Sequence, residues 1–332
     1  MKYLGHLNRS DPFYDYLRYT IFPQLGLNGF RPDFRVYRLE ASNHVYLYKD
    51  RRSKARVIGK FYGGTADQKP GSALQRMENE FNNLNYIRSL GFAGYPHYIP
   101  KPLGRNAELN CVLVEESCDG HSLDTIIREA IREGMGEFLF KKLTALAYFL
   151  ATLHTRTATD RGLNFSPECS YFDWITQQLR SRGYIDGGEA QELYDLKGRW
   201  QSKGFMWEDQ QVLVHGDVTP TNMLFGDDLW VIAVDLERMK MGDRVFDLGR
   251  LTGEIKHFFM QYAGNKDLAE PYIGHFLWEY AGHFQDQRGI FAAVTRRLPF
   301  YMGLNLMRIA RNPWFDTDYR RRLLQEAKLT LR

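Results

Sequence analysis

Two hydrophobic periodicities occupy separate parts of this chain, and their order limits the folds open to it. Over 34–39, 45–48 and 57–62 apolar and polar residues alternate in runs parted by short polar turns, the pattern of an antiparallel meander. A fourth apolar run, 111–114, passes into the polar, glycine-bearing stretch 115–120, which reads as a connection between two domains. Beyond it the spacing becomes helical. Leu143, Leu146, Ala147, Leu150 and Leu153 share one face of a helix over 137–155, and further helices are expected over 171–181, 188–203, 246–262, 268–285, 289–311 and 317–331. An earlier helix over 73–90 carries Leu74, Met77, Phe81, Leu84 and Ile87 and stops at Gly91. Strands first and helices after predict an α+β fold, with a small antiparallel β-rich N-terminal lobe (1–116) and a larger α-helical C-terminal lobe (117–332). At 332 residues the chain is long enough for two such units and too long for one simple core.

One segment interrupts the helical part. Residues 213–222 read Leu-Val-His-Gly-Asp-Val-Thr-Pro-Thr-Asn, and after the spacer Gly226-Asp227-Asp228 an apolar run over 229–234 ends in Asp235. This is the pattern of a hairpin that would set Asn222 beside Asp235. Phosphoryl transfer needs positioning and charge neutralisation more than covalent help. Asp217 can orient an attacking hydroxyl, while the amide oxygen of Asn222 and the carboxylate of Asp235 are hard ligands suited to Mg²⁺. No basic residue adjoins Asp217 in sequence, so it is expected as a carboxylate open to an alcohol rather than buried in an ion pair. Singly these are ordinary turn and strand-end residues; their joint spacing points to chemistry.

Composition excludes several classes. Hydrophobic residues at 44% and charged ones at 25% match a soluble globular protein. No apolar run reaches the roughly 18 residues of a membrane helix, and the N-terminus lacks a signal-peptide core, so no membrane association and a cytoplasmic location are expected. Cys111, Cys118 and Cys169 form no CxxC pair, which argues against disulfide or zinc frameworks. The net charge of +4 includes a cationic hairpin tip over 51–56. With no aromatic residues interleaved, that tip reads as a solvated turn, so a nucleic-acid partner is not expected. The pattern sets no oligomeric state.

With these residues in place, the chain resembles the aminoglycoside phosphotransferase and choline kinase group, small-molecule kinases of protein-kinase-like fold. The resemblance is most specific at His215-Gly216-Asp217 through Asn222 and at Asp235-Leu236-Glu237. It implies ATP and Mg²⁺ as cofactors, Asp217 as the catalytic aspartate, and Asn222 and Asp235 as magnesium ligands. Lys60, on the third strand, is implied to hold the α and β phosphates with Glu80 as its ion-pair partner, Glu78 being the competitor. Ser42-Asn43-His44-Val45-Tyr46 resembles the group's Ser-Asn-x-Val-Tyr segment, which places Ser42 and Asn43 at the nucleotide phosphates. Adenine is expected against the backbone of Glu115, Glu116 and Ser117. Asp247 is implied as a brace for the catalytic loop, with His154 packing rather than reacting.

Only about ten residues part Asp235 from the helix near 246, too few for the activation segment of protein kinases. The acceptor is therefore expected to be the hydroxyl of a small molecule, near Tyr171, Phe172, Trp174, Tyr301, Trp314 and Phe315. Arg296, Arg297, Arg308, Arg311 and the arginines at 320–322 argue against a polycationic aminoglycoside and for a neutral or anionic polyol. An aromatic cage for an amino alcohol stays open. The rival classes are an atypical protein kinase and a catalytically silent nucleotide-binding regulator. The second would need a missing catalytic group, and none is missing.

Overall fold

A computed structural model describes residues 1–28, 31–39, 44–63 and 71–332, so Ser42 and Asn43 lie outside the described residues. The chain forms two compact units, Met1–Gly120 with Ile232–Glu237, and His121–Val231 with Arg238–Arg332.

The first unit runs β1 (Lys2–His6), α1 (Pro12–Tyr16), β2 (Phe34–Arg38), β3 (His44–Asp50), β4 (Arg56–Phe61), α2 (Ser72–Ser89), β5 (Ala93–Gly94), β6 (His97–Tyr98), β7 (Pro102–Asn106) and β8 (Val112–Glu116). Its six longer strands form one antiparallel sheet in the order β1-β2-β3-β4-β8-β7. The expected meander is β2 to β4, with Val45 opposite Lys60 and Leu47 opposite Ile58. The alternation pattern does not reveal β1, which pairs Tyr3 with Tyr37 at the sheet edge. Lys60 therefore lies on the fourth strand, not the third. Pro12 starts α1 and the Asp11 carboxylate caps it, accepting from Phe13 N–H at 2.9 Å. Phe13, Tyr14, Leu17, Ile21 and Phe22 from this region pack with Phe34, Tyr48, Val57 and Val112 into one apolar core. Each such side chain contributes about 1.5–3 kcal/mol of burial, so this segment is part of the unit's framework. The cationic tip is an exposed turn gathered on Asp50, whose carboxylate accepts from the N–H groups of Arg52 (3.1 Å) and Ser53 (2.6 Å).

The second unit runs β9 (His121–Ser122), α3 (Leu123–Glu133), α4 (Gly136–Arg156), α5 (Ser166–Ser181), α6 (Gly187–Gln201), β10 (Val212–Val214), β11 (Met223–Phe225) and β12 (Val231–Ala233), which leads into the segment counted with the first unit. It resumes with β13 (Lys240–Gly242), α7 (Val245–Phe258), α8 (Glu270–Gly282), α9 (Gln287–Ala310) and α10 (Thr317–Leu331). Helix α5 begins five residues before the apolar stripe suggests, because Pro167 sits in its first turn. Helix α7 is buried along its whole length although it carries Asp247, Arg250, Glu254, Lys256 and His257. Buried charges need partners, so this helix must be surrounded by complementary groups. Gly249 and Gly253 let α9 come close: a Cβ at 249 would collide with Tyr301, and one at 253 would lie 2.8 Å from Asn305 Nδ2. That approach lets Asn305 Nδ2 donate to the Arg250 carbonyl at 2.9 Å. No helix among the described residues is long and apolar enough to cross a membrane.

Candidate active site

Strand β10 pairs with β13, Leu213 opposite Met241, and delivers the chain into the loop His215–Asn222. Two backbone donors fix that loop: Asp247 Oδ2 accepts from His215 N–H at 2.7 Å and Oδ1 from Gly216 N–H at 2.9 Å. His154 meets Asp247 through Nε2 at 3.3 Å and Tyr280 Oη through Nδ1 at 2.9 Å. Burial works to raise the Asp247 pKa, but His154, His215 and the backbone donors outweigh it and hold the group below the usual carboxylate range. Asp247 and His154 thus have the bracing geometry implied for them. Gly216 sits at φ +79° with the Arg238 carbonyl where a Cβ would go, so only glycine fits.

Asn222 Nδ2 donates to the Asp217 carbonyl at 3.0 Å, which leaves Oδ1 as the end that suits a cation. Asp217 itself departs from expectation. Rather than standing open, it forms an ion pair with Arg250, Nη1 to Oδ1 at 2.7 Å, with Arg238 Nε 3.8 Å from Oδ2. The partner comes from 33 positions away on α7, one helical turn after Asp247, which local sequence does not reveal. Burial works to raise the Asp217 pKa; Arg250, then Arg308 and Arg238, outweigh it and leave the carboxyl lowered.

Beside this pair lies a small cavity lined by Tyr171, Phe246, Arg250, Tyr301, Asn305 and Arg308. The aromatics expected around an acceptor do not form one wall. Tyr171 and Tyr301 line the cavity, Phe172 is buried against Phe300, and Trp314 is 72% exposed. Trp174 stacks on Tyr171 under the Arg311 guanidinium, and Phe315 packs on His257 and Tyr319. Tyr171, Phe172 and Trp174 share α5 but point to different neighbours, and the other three come from α9 and the segment after it.

In the first unit Lys60 Nζ lies 2.6 Å from Glu80 Oε1, and Tyr62 Oη donates to the other oxygen of Glu80. Glu78 is occupied by Arg105 at 2.6 Å, so Glu80 is the partner. A second acid, which the sequence reading cast only as backbone, also reaches the lysine: Glu115 Oε1 lies 3.0 Å from Lys60 Nζ. Strand β8 runs two residues past the apolar stretch, with Glu115 opposite Ile58 and Glu116 opposite Val57. The Glu116 N–H donates to the Lys101 carbonyl at 3.0 Å and is thereby committed to the sheet; Ser117 starts the connection. Burial acts to lower the Lys60 pKa, but Glu115, Glu80 and Asp235 raise it well above its ordinary value. Burial pushes Glu115 up to about 7, Glu80 adding to the rise and Lys60 opposing it.

The segment carrying Asp235 is tied to α2 by Arg76, 2.8 Å from Glu237 Oε2, and by Asn83 Nδ2 donating to the Leu236 carbonyl at 2.8 Å. Asp235 has φ +66°, a left-handed backbone that a non-glycine residue adopts at a cost and that recurs at functional sites. Ligand oxygens of Glu80, Asp235 and Glu237 lie within 4.8 Å of one another. Three carboxylates are the donors a hard divalent cation prefers. Glu237 was readable only as a member of the Asp-Leu-Glu motif; nothing local marks it as a donor.

Residues 33–281 match the APH phosphotransferase enzyme family. No curated protein matches the chain by sequence. Among solved structures, the choline kinase from Cryptosporidium parvum superposes with a TM-score of 0.64 at 12% identity, over 96% of this chain and 94% of that one. The ethanolamine kinase of Plasmodium vivax gives 0.59 at 15% identity, over 98% and 89%. An amicoumacin kinase, hAmiN, gives 0.59 at 16%, over 89% and 87%. At these identities the likeness establishes the protein-kinase-like α+β fold, with its antiparallel sheet in the N-terminal region and helices in the C-terminal region. The family match covers most of the chain, and with the fold it makes this protein a small-molecule phosphotransferase belonging to the phosphotransferase enzyme family.

Proposed function

We propose that the protein is a Mg-ATP-dependent kinase of a small-molecule hydroxyl, borne by a sugar, a sugar derivative or an amino alcohol, acting in the cytoplasm. The observation that carries this reading is the loop in which Asp247 fixes two backbone donors so that Asp217 and Asn222 are presented from one rigid turn. Two similar structures support the nucleotide: hAmiN was solved with AMP-PNP and Ca²⁺, and APH(2")-IIa with streptomycin and ATP.

Asp217 accepts the proton of the acceptor hydroxyl as that oxygen bonds the γ-phosphorus and the β–γ bridging oxygen departs with ADP. Lys60, held by Glu80, which Tyr62 Oη braces from its other oxygen, neutralises the α and β phosphates. Ser42 and Asn43 are assigned to the phosphate oxygens, and the backbone around Glu115 to Ser117, apart from the Glu116 N–H, to adenine. Bound magnesium supplies charge neutralisation on the phosphates; Asn222 and Asp235 are assigned as its ligands, and Glu237 adds a third oxygen donor of the right hardness.

The test is ADP release with Mg-ATP against sugars, amino alcohols and aminoglycosides. Asp217→Asn is expected to lose about 10³-fold in turnover while still binding nucleotide. Equal turnover by the variant would remove Asp217 from this role.

A further inference from the structure

We propose that the acceptor alcohol carries an anionic group, a carboxylate or a phosphate, received by Arg250 and Arg308 in the cavity beside Asp217. This rests on the kinase reading above and adds to it the charge of the substrate. The side chains of Arg250 and Arg308 are only 5% and 16% exposed. Guanidinium groups so buried need carboxylates; each of these has one, and a third guanidinium beside them has none among the described residues. Asp217 serves Arg250 and also lies near Arg238; Glu254 serves Arg308, which also donates from Nε to Asn305 Oδ1 at 2.8 Å. Arg311, within electrostatic reach of Arg308 and Tyr171, has no carboxylate partner among the described residues. Arg250, Arg308 and Arg311 thus have two carboxylates among them, and one of these is the group that must receive an alcohol. Burial, and next Arg308, lower the pKa of Arg250 against the help of Asp217, as expected where positive charge is in excess.

The cavity size sharpens the chemistry. At about 10 Å³ it holds no more than one water-sized group, so it has room for a single oxygen of an anion and leaves the rest of the acceptor outside. Arg250 touches Asp217 directly, so anion and reacting hydroxyl must be close along the molecule, as in a hydroxy acid or a sugar phosphate. The anion also competes for Arg250. By taking that guanidinium it releases an oxygen of Asp217 for the hydroxyl, so a neutral analogue with the same hydroxyl leaves Asp217 tied up.

The experiment compares matched alcohols on wild type: glycerate and glycerol, gluconate and glucose, ribose 5-phosphate and ribose, with ethanolamine, choline and gentamicin as cationic arms. The anionic member of a pair is expected to be favoured roughly 10- to 100-fold in kcat/KM, the worth of one charge-assisted hydrogen bond. Preference in the carboxylate pairs or in the phosphate pair identifies the source. Arg308→Gln and the more exposed Arg311→Gln are each expected to cut that ratio about tenfold, with Arg308→Lys retaining part of it. The ratio is internal to each variant, so loss of folded protein cannot imitate the result. Neutral or cationic alcohols turned over as well as anionic ones, or a ratio unchanged in both variants, would overturn the anion site and leave the kinase reading standing. No transfer to any arm, together with no nucleotide binding, would overturn both.

Discussion

Glu115 shows what a single buried side chain does to the energetics of the first unit. Its carboxyl, pushed up to about 7 chiefly by burial, holds a proton in the folded protein that the unfolded chain releases near 4.5. The stability it contributes is therefore fully present below pH 4.5 and is lost as pH rises through 7. Glu115→Gln is expected to gain stability relative to wild type between pH 4.5 and pH 8, the direction set by the raised carboxyl. Urea unfolding at the two pH values reads this directly; equal destabilisation at both would refute it. Placement was legible where the pattern is local, as at Asp217 and Asn222, which one turn joins through Asn222 Nδ2. It was not legible where a partner arrives from another element. Arg250 reaches Asp217 from α7, and Glu115 turns its side chain to Lys60 across the sheet.

At the scale of elements, α7 is the piece on which the second unit's candidate site depends. It holds Asp247 against the loop and Arg250 against Asp217, and it does so from a position that α9 can approach only because residues 249 and 253 are glycine. Gly249→Ala is expected to cost about 1–3 kcal/mol or more, as overpacking does in a close-packed core. Gly198→Ala, on an exposed face of α6 with open space where the Cβ would go, is expected to gain about 0.5–1 kcal/mol from helix propensity. Calorimetric midpoints moving in the same direction for both would contradict this packing account. Periodicity exposed most helices, and α10 falls on the expected span. Strands such as β1 and β7 stayed hidden because five-residue edge segments with glycine or proline carry little alternation. Helix α3, with Leu123, Ile126, Ile127 and Ala130 buried on one face behind a Ser122 cap, was readable in principle by the same rules.

For the whole molecule, the fold class was the most legible property, since a strand-rich start and helix-rich remainder leave few architectures open. The division of the chain was less so, because a six-residue segment joins the first unit from far along the sequence. Nucleotide binding should register on the folded protein as a whole. Mg-AMP-PNP at a hundredfold excess over its Kd is expected to stabilise by about 2.7 kcal/mol, visible as a higher thermal midpoint. Asp235→Ala should lose most of the magnesium-dependent part of that gain. A midpoint indifferent to Mg-nucleotide in wild type would count against the ATP assignment.

The anchoring of Leu236 and Glu237 to α2 also sets an order of events during synthesis. Arg76 and Asn83 emerge from the ribosome long before the residues they hold, 161 and 153 positions further on, so this part of the first unit must wait for them. An N-terminal fragment ending at Gly120 would lack Asp235 and Glu237 altogether. The first unit of this protein is therefore not a severable piece of chain, and its completion is delayed until about half of its neighbour has been translated.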